Sequence, residues 1–451
     1  MTDDGRIVVI GCSGCGALAA RTLKKLNPSL DVTILREQDE KGLLTRCATP
    51  YICCGNVMVD PSYKDDSIFT KQNIKVVDCK ATKIDREQKI VVAEDGNSYE
   101  YDKLVLAMGS EPMLPPVPGV NLSGVFTLRK SNDAANIQYW MNTRRVKTVV
   151  MIGAGPIGVE MAYLAARHGI KVHLVEMLDH ILAKALDSDM SEQIEAYMQQ
   201  RDIELHLKER AKEITGNGQV DSVVLSSGEI IQAQMVLLFT GIKPNSELAE
   251  QAGLEMGKLA LHVNSYLQTS DPDVYAAGDL IEYPSWITGK PMLGPLRPNA
   301  VIGGRVIAKN ILGKNIRYPG FINSFVTKFF DRSIAGTGIT ESQAHEENMD
   351  VIVTTQSAAS QHSMMRDRQP YTVKLIFDKQ TLKLVGGQIV SESECPVKHI
   401  DVLTVAIRGN LTALDLATLR CAGQPELSPD PGMEPIALAA ERACELFDKT
   451  N

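Results

Sequence analysis

The sequence predicts an α/β protein made of two parallel-sheet units and an α+β tail. Two glycine turns, and one long region without any, carry that expectation. The run RIVVI (Arg6 to Ile10) leads into GCSGCGALAARTLKKL, and KTVVMIGAGPIGVEMAYLAARHGIKVHLVEM repeats the pattern from Lys147. In each, an apolar strand hands through glycines to an amphipathic helix, the arrangement whose amides and helix end face a pyrophosphate. From Phe325 onward come strand patterns such as YTVKLIFD and KLVGGQIV, with helices, but no further glycine turn. Two Rossmann-like nucleotide-binding units followed by a separate α+β unit account for all three features.

The first turn departs from the strict G-x-G-x-x-G pattern, because Ser13 stands in the middle place beside Gly11, Gly14 and Gly16. After its helix, DVTIL (Asp31 to Leu35) reads as the second strand. Arg36 and Glu37 then stand near where an acid holds a ribose hydroxyl. Glu37 is expected in that role, with Arg36 as the alternative occupant of the slot. The second turn is complete: Gly153, Gly155 and Gly158 keep full spacing, and the strand Lys171 to Val175 ends in Glu176. A carboxylate there accepts from a free 2'-hydroxyl and repels a 2'-phosphate, and no arginine follows in MLDHILAK. NADH is therefore expected rather than NADPH. Two turns imply two dinucleotides, most simply a flavoenzyme passing hydride between them.

Bulk composition excludes several classes. The chain has 451 residues, 44% apolar and 23% charged, with a net charge of -8. Such a mildly acidic chain gives no electrostatic case for nucleic acid or an anionic membrane. The most apolar runs are interrupted by glycines and Glu160, so no transmembrane span is expected. The N-terminus enters a strand almost at once, leaving no basic-then-apolar signal region, and a cytoplasmic protein is expected. Nine scattered cysteines on a long chain argue against a disulfide framework. Cys12 and Cys15 form a C-x-x-C inside the first glycine turn, where small residues are needed. No metal site is expected there or elsewhere. Cys79, Cys395, Cys421 and Cys444 have no readable role.

On these motifs the chain resembles the pyridine nucleotide–disulfide oxidoreductases along nearly its whole length. LVLAMGSEP (Leu104 to Pro112) and VLLFTGIKPN (Val236 to Asn245) resemble that family's connector strands, and TSDPDVYAAGDL (Thr269 to Leu280) its second flavin motif. NAVIGGRVIAKNILG (Asn299 to Gly313) resembles the helix that follows, and the tail from Phe325 the dimerisation domain. The resemblance implies a glutathione reductase-type fold: residues 1–115 and 246–324 for FAD, 116–245 for NAD(P)H, and 325–451 for homodimerisation. It implies one tightly bound FAD per subunit, held by Gly11, Ser13, Gly14, Gly16, Glu37, Ala107, Gly109, Gly278 and Asp279. NADH would be held by Gly153, Gly155, Gly158, Glu176 and Gly241, with Glu160 near the nicotinamide.

The stretch RCATPYICCGN (Arg46 to Asn56) carries the chemistry. C-A-T-P-Y resembles the single-cysteine branch of the family: CoA-disulfide, persulfide and polysulfide reductases, NADH oxidases and NADH peroxidases. Cys47 matches its redox cysteine. The two-cysteine branch uses C-x4-C and a partner-subunit His-Pro-Thr. Here five residues separate Cys47 from Cys53, and the corresponding segment reads Gln424-Pro425-Glu426. Cys53 and Cys54 either supply a resolving thiol or pack as small side chains at the start of a helix after Pro50.

Three departures narrow the branch. Gly14 stands where oxidases and peroxidases carry a histidine. HSMMRD (His362 to Asp367) and QPELSP (Gln424 to Pro429) lack the tyrosines of CoA-disulfide reductases. Pro156 replaces a tyrosine that shields the nicotinamide pocket. His362 or Glu426 is a candidate replacement acid, Arg366 and Arg368 candidates to hold an anionic substrate, and Arg297 either a structural ion-pair partner or a pocket charge. The expected activity is NADH-dependent reduction of a small disulfide, persulfide or polysulfide, CoA-linked ones included, through flavin and Cys47. An NADH oxidase or an electron-transfer partner of a protein acceptor are the alternatives.

Overall fold

The structure is a computed structural model describing residues 5–37, 42–58 and 63–450, without the side chains of Cys395 and Thr450. The elements that position the site begin with β1 (Arg6–Ile10), α1 (Gly14–Leu26), β2 (Asp31–Arg36), α2 (Thr49–Cys53), β3 (Ile74–Asp78) and β4 (Lys103–Leu106). Next come β5 (Val125–Thr127), α3 (Ser131–Thr143), β6 (Thr148–Ile152), α4 (Pro156–Arg167), β7 (Lys171–Glu176), β8 (Ile203–Leu207) and β9 (Met235–Leu238). The chain continues through β10 (Val274–Ala276), α5 (Arg297–Ile311), β11 (Phe325–Phe329), β12 (Arg332–Gly338), β13 (Val351–Ala359), β14 (Pro370–Asp378) and β15 (Leu384–Ser391). It closes with α6 (His399–Arg408) and α7 (Pro435–Thr450).

The chain divides into two compact units. The first comprises Met1–Leu114, Thr127–Thr143 and Thr240–Phe321. Its sheet runs β10-β4-β1-β2-β3, all parallel. Helices cover both faces of such a sheet, so β1 is continuously apolar from Ile7 to Ile10 rather than alternating. Ile7 and Val9 are fully buried. Helices α1 and α5 pack closely because Gly304 has no side chain: a Cβ there would lie 2.3 Å from the Cys15 carbonyl oxygen.

The second unit comprises Pro115–Phe126, Arg144–Phe239 and Ile322–Asn451. Its five-stranded sheet has the order β5-β9-β6-β7-β8, with β8 on the edge and the run from β9 to β8 parallel. A five-stranded sheet, β11-β12-β15-β14-β13, follows, its paired strands antiparallel. Helix α7 rests on it, where the Thr354 hydroxyl donates to the Ala439 carbonyl at 2.8 Å. The two parts of this unit meet at Lys374 on β14, whose Nζ reaches Asp189 at 2.8 Å, Glu341 at 2.9 Å and Asp187 at 3.3 Å.

Two expectations are corrected. Residues 127–143, expected within the 116–245 segment, belong to the first unit. Hydrogen bonds explain this: Gln138 Nε2 donates to the Ile52 carbonyl at 3.1 Å, and the Tyr63 hydroxyl donates to Ser131. Cys53 and Cys54 do not start a helix after Pro50 but end it, because Pro50, lacking an N–H, suits the first turn. Among the described residues, no helix is long and apolar enough to cross a membrane.

Candidate active site

The first glycine turn is shaped by two close approaches. Gly11 has φ +102°, and a Cβ on it would fall 2.3 Å from the Ala107 carbonyl oxygen. A Cβ on Gly16 would fall 2.0 Å from the Gly11 oxygen. Any side chain at either place would force α1 off β1. Ser13 needs no glycine, since it caps α1 in extended backbone with φ -124°. Gly14 begins the helix, with room for a Cβ at ordinary contact distance from Ala300.

Ala107, Gly109, Gly278 and Asp279 gather in the same unit. Gly109 (φ +69°) and Gly278 (φ +83°) both hold left-handed backbone. The Asp279 carboxylate accepts from the Ser110 hydroxyl at 2.9 Å and from the Arg129 guanidinium at 3.0 Å. Arg129 is a hub: its N–H donates to Asp133 at 2.8 Å, and its carbonyl accepts from Arg46 Nη1 at 2.9 Å. The residue before Cys47 is thus tied to the flavin-motif aspartate. Sequence reasoning missed Ser110 and Arg129. The only signal was an arginine just before a helix whose first turn holds an acid.

Glu37 directly follows β2 and pairs with Lys80 at 2.9 Å and Lys130 at 3.3 Å. The hydrogen bond from Lys80 holds its carboxyl below the ordinary range, so it is an anion. Arg36 is buried against Asp66 at 2.8 Å and Asp78 at 2.6 Å, which commits it to structure.

The cysteines separate cleanly. Cys47 is exposed, on a single 3-10 turn (Arg46–Ala48) held by the Thr49 hydroxyl donating to the Arg46 carbonyl at 2.7 Å. Cys53 and Cys54 are buried. Burial pushes the Cys54 thiol up to about 12 and raises Cys53 as well, with the neighbouring Cys54 adding to it. Cys12 and Cys15 are also pushed up to about 12 by burial, which suits small packing thiols under a turn.

The second turn repeats the first in the other unit. Gly153 has φ +106°, its Cβ position lies 2.4 Å from the Phe239 carbonyl oxygen, and that of Gly158 lies 2.0 Å from the Gly153 oxygen. No atom lies within 4 Å of a Cβ placed on Gly155, so that face is open to a ligand. Glu176 accepts from the Ala154 N–H at 2.8 Å and the Leu178 N–H at 3.0 Å, which fixes its carboxylate at the end of β7. Glu160 sits half-buried on α4, and Pro156 is exposed at its first turn. Gly241 does not join this set. It belongs to the first unit, where its carbonyl accepts from the Met113 N–H at 3.0 Å.

In the tail, His362 and the Gln424–Glu426 segment come together. The His362 N–H donates to the Pro425 carbonyl at 3.0 Å, and Gln361 Nε2 to the Glu426 carbonyl at 2.7 Å. The His362 ring pairs with Asp430, through Nε2 at 3.0 Å, rather than with Glu426. Arg368 is spent on the Ser363 and Met365 carbonyls of its own loop, whereas Arg366 is exposed. Arg297 is an exposed residue at the start of α5.

Both glycine turns therefore fit dinucleotides: each has a closed strand–helix join and an acid at the end of the second strand. Residues 5–296 match the family model for pyridine nucleotide-disulphide oxidoreductases, and residues 324–432 match its dimerisation domain. The chain is 34% identical to an NADH oxidase of Methanocaldococcus jannaschii, over 97% of this chain and 98% of that protein. It is also 34% identical to an NAD(P)H coenzyme A polysulfide/persulfide reductase of Pyrococcus horikoshii, covering 94% and 95% of the two chains. The structure of an NAD-dependent persulfide reductase from A. fulgidus superposes with a TM-score of 0.94 at 32% identity, covering 98% of this chain and 84% of that one. The chain belongs to the pyridine nucleotide–disulphide oxidoreductases, and FAD and NAD(H) are its cofactors.

Proposed function

We propose that the protein is a homodimeric, NADH-dependent reductase of low-molecular-weight disulfide, persulfide or polysulfide bonds, working through Cys47. One observation carries this reading. Of the three thiols in RCATPYICCGN, Cys47 is exposed while Cys53 and Cys54 are buried, with their thiol forms favoured. A nucleophilic sulfur must reach its substrate and ionise, and only position 47 meets the first condition.

The Cys47 thiolate attacks one sulfur of R–S–S–R', forming a Cys47–S–S–R bond and releasing R'S⁻. Two electrons and one proton from NADH then return Cys47 to the thiolate and release RSH, while a proton from solvent converts R'S⁻ to R'SH. The balance is RSSR' + NADH + H⁺ giving RSH, R'SH and NAD⁺. Bound FAD supplies two-electron storage between nicotinamide and sulfur. Ser110 and Arg129 hold Asp279 in place for that cofactor, and Glu176 selects the unphosphorylated ribose. His362 has both ring nitrogens engaged, Nε2 with Asp430 and Nδ1 with the Met364 N–H at 3.3 Å. Ordering its loop suits it better than proton donation. The resemblance to the persulfide reductases, and the lack of tyrosine in HSMMRD and QPELSP, favour a persulfide or polysulfide over CoA disulfide.

The test is NADH oxidation with glutathione persulfide or polysulfide under anaerobic conditions. Cys47→Ser should lower turnover about a thousandfold or more and remove the long-wavelength thiolate-to-flavin absorbance, while Cys54→Ser keeps both. Normal turnover by the serine variant at 47 would refute the mechanism. The Methanocaldococcus relative raises an oxidase as the second reading. Gly14 offers no proton donor, so oxygen uptake with excess NADH should be slow beside persulfide reduction. The reverse ranking would reverse the assignment.

A further inference from the structure

On the parallel sheet of the second unit, two histidines and a glutamate share one face of β7 and β8. His173 on β7 is paired in register with Glu204 on β8, and His206 lies two residues further along β8. The period of two brings all three side chains to the same side. Both histidines are only 7% exposed. His173 Nδ1 and His206 Nε2 stand 3.0 Å apart. Glu204 completes a triangle, with Oε2 at 3.7 Å from His173 Nδ1 and Oε1 at 3.9 Å from His206 Nε2.

We propose that His173, Glu204 and His206 form a divalent transition-metal site of the zinc class, which staples the edge strand β8 to β7. Tetrahedral zinc with nitrogen and oxygen ligands at about 2.0–2.2 Å places its ligands roughly 3.3–3.6 Å from one another. The separations here, with Glu204 meeting the two rings through different oxygens, straddle that range, and one ligand atom from each residue lies within 4.8 Å of the others. Two imidazoles with one carboxylate suit zinc and its borderline neighbours, not magnesium or calcium.

A second observation points the same way. On its other ring nitrogen, Nδ1, His206 faces Glu229 at 3.5 Å. A carboxylate there selects the tautomer whose Nε2 lone pair faces the cluster, the outer-sphere arrangement typical of metal-bound histidine. Without an ion, the His173 Nδ1–H would donate to that lone pair. Binding an ion requires His173 to carry its proton on Nε2 instead, a tautomer change with no net proton release. Lys171 competes for Glu204, at 3.0 Å from Oε2, but leaves Oε1 available.

The sequence concealed this site. His173 on one strand and E-x-H on the next are 31 residues or more apart in the chain, and only the parallel register joins them. The proposal is independent of the redox reading. The test uses the FAD-loaded protein freed of metal by a chelator, titrated with Zn²⁺ against a chromophoric competitor and, separately, with Co²⁺. Wild type should bind one Zn²⁺ at this site, with visible Co²⁺ ligand-field bands and no sulfur-to-metal charge-transfer band. That spectrum distinguishes it from binding at Cys47. Glu204 is half-exposed, so Glu204→Gln should fold normally, lose the Co²⁺ bands and lose the zinc-induced rise in melting temperature. Glu229→Gln should weaken zinc roughly ten- to a hundredfold. Zinc affinity unchanged in Glu204→Gln and His206→Gln, a thiolate band with Co²⁺, or a Kd weaker than about a millimolar would overturn the assignment.

Discussion

At the scale of single residues, Glu176 shows what a strand-end acid gains from its surroundings. Two backbone amides hold its carboxylate, and neither neutralises it as a cation would. On the proposed reading, that carboxylate receives the ribose of NADH. Removing it should relax the choice of nicotinamide: Glu176→Gln should lower the NADH-to-NADPH ratio of kcat/KM by about tenfold, or ~1.4 kcal/mol. Steady-state rates with both dinucleotides measure this, and an unaltered ratio would remove Glu176 from the specificity argument. The placement of this residue was legible because strand, turn, helix and acid follow in sequence. Arg129 was not legible, because its partners Asp279 and Arg46 lie 150 and 83 residues away in the chain. Local pattern cannot announce contacts that only the folded sheet creates. For Glu37 and Arg36 the sequence left a choice open. Burial resolved Arg36: its guanidinium lies between two carboxylates inside the unit.

At the scale of elements, the strand–turn–helix joins explain both the strict and the relaxed positions of the glycine pattern. The first and last glycines meet carbonyl oxygens, while the middle residue is extended in both turns. This is why a serine at 13 leaves the motif intact. Gly16→Ala should push α1 off β1, destabilise the first unit by roughly 3 kcal/mol and yield protein with less bound flavin. Ser13→Gly should change neither quantity. The ratio of flavin to protein absorbance, with urea unfolding, reports both, and full flavin content in Gly16→Ala would show that the join is not needed. The short helix α2 was misread in sequence. Pro50 marks a first turn, and a helix of five residues is too brief to show any period, so its end fell on the two cysteines expected at its start.

At the scale of the whole molecule, class and order of parts were readable, but their grouping was not. Apolar runs and glycine turns mark two parallel sheets. Nothing in the local pattern said that 127–143 would pack with the first unit, or that the second sheet and the tail would form one. The latter grouping runs through Lys374, a lysine in the middle of an apolar strand and only 3% exposed. Burial opposes its charge, yet the surrounding carboxylates prevail and raise its pKa. Asp187 is engaged from the tail as well, by the Gln388 amide at 2.6 Å and the N–H groups of Glu341 and Ser342. Replacing Lys374 with methionine should cost about 3 kcal/mol, the lower end of the range for a buried pair because Asp189 is half-exposed. Urea midpoints of the variant and the parent measure this, and equal midpoints would mean that the knot contributes nothing.

This ionic knot constrains motion as well as stability. The tail cannot rock against the nicotinamide cradle without stranding a buried ammonium. In two chains joined tail to tail, the spacing between their nicotinamide cradles would therefore stay constant through the catalytic cycle.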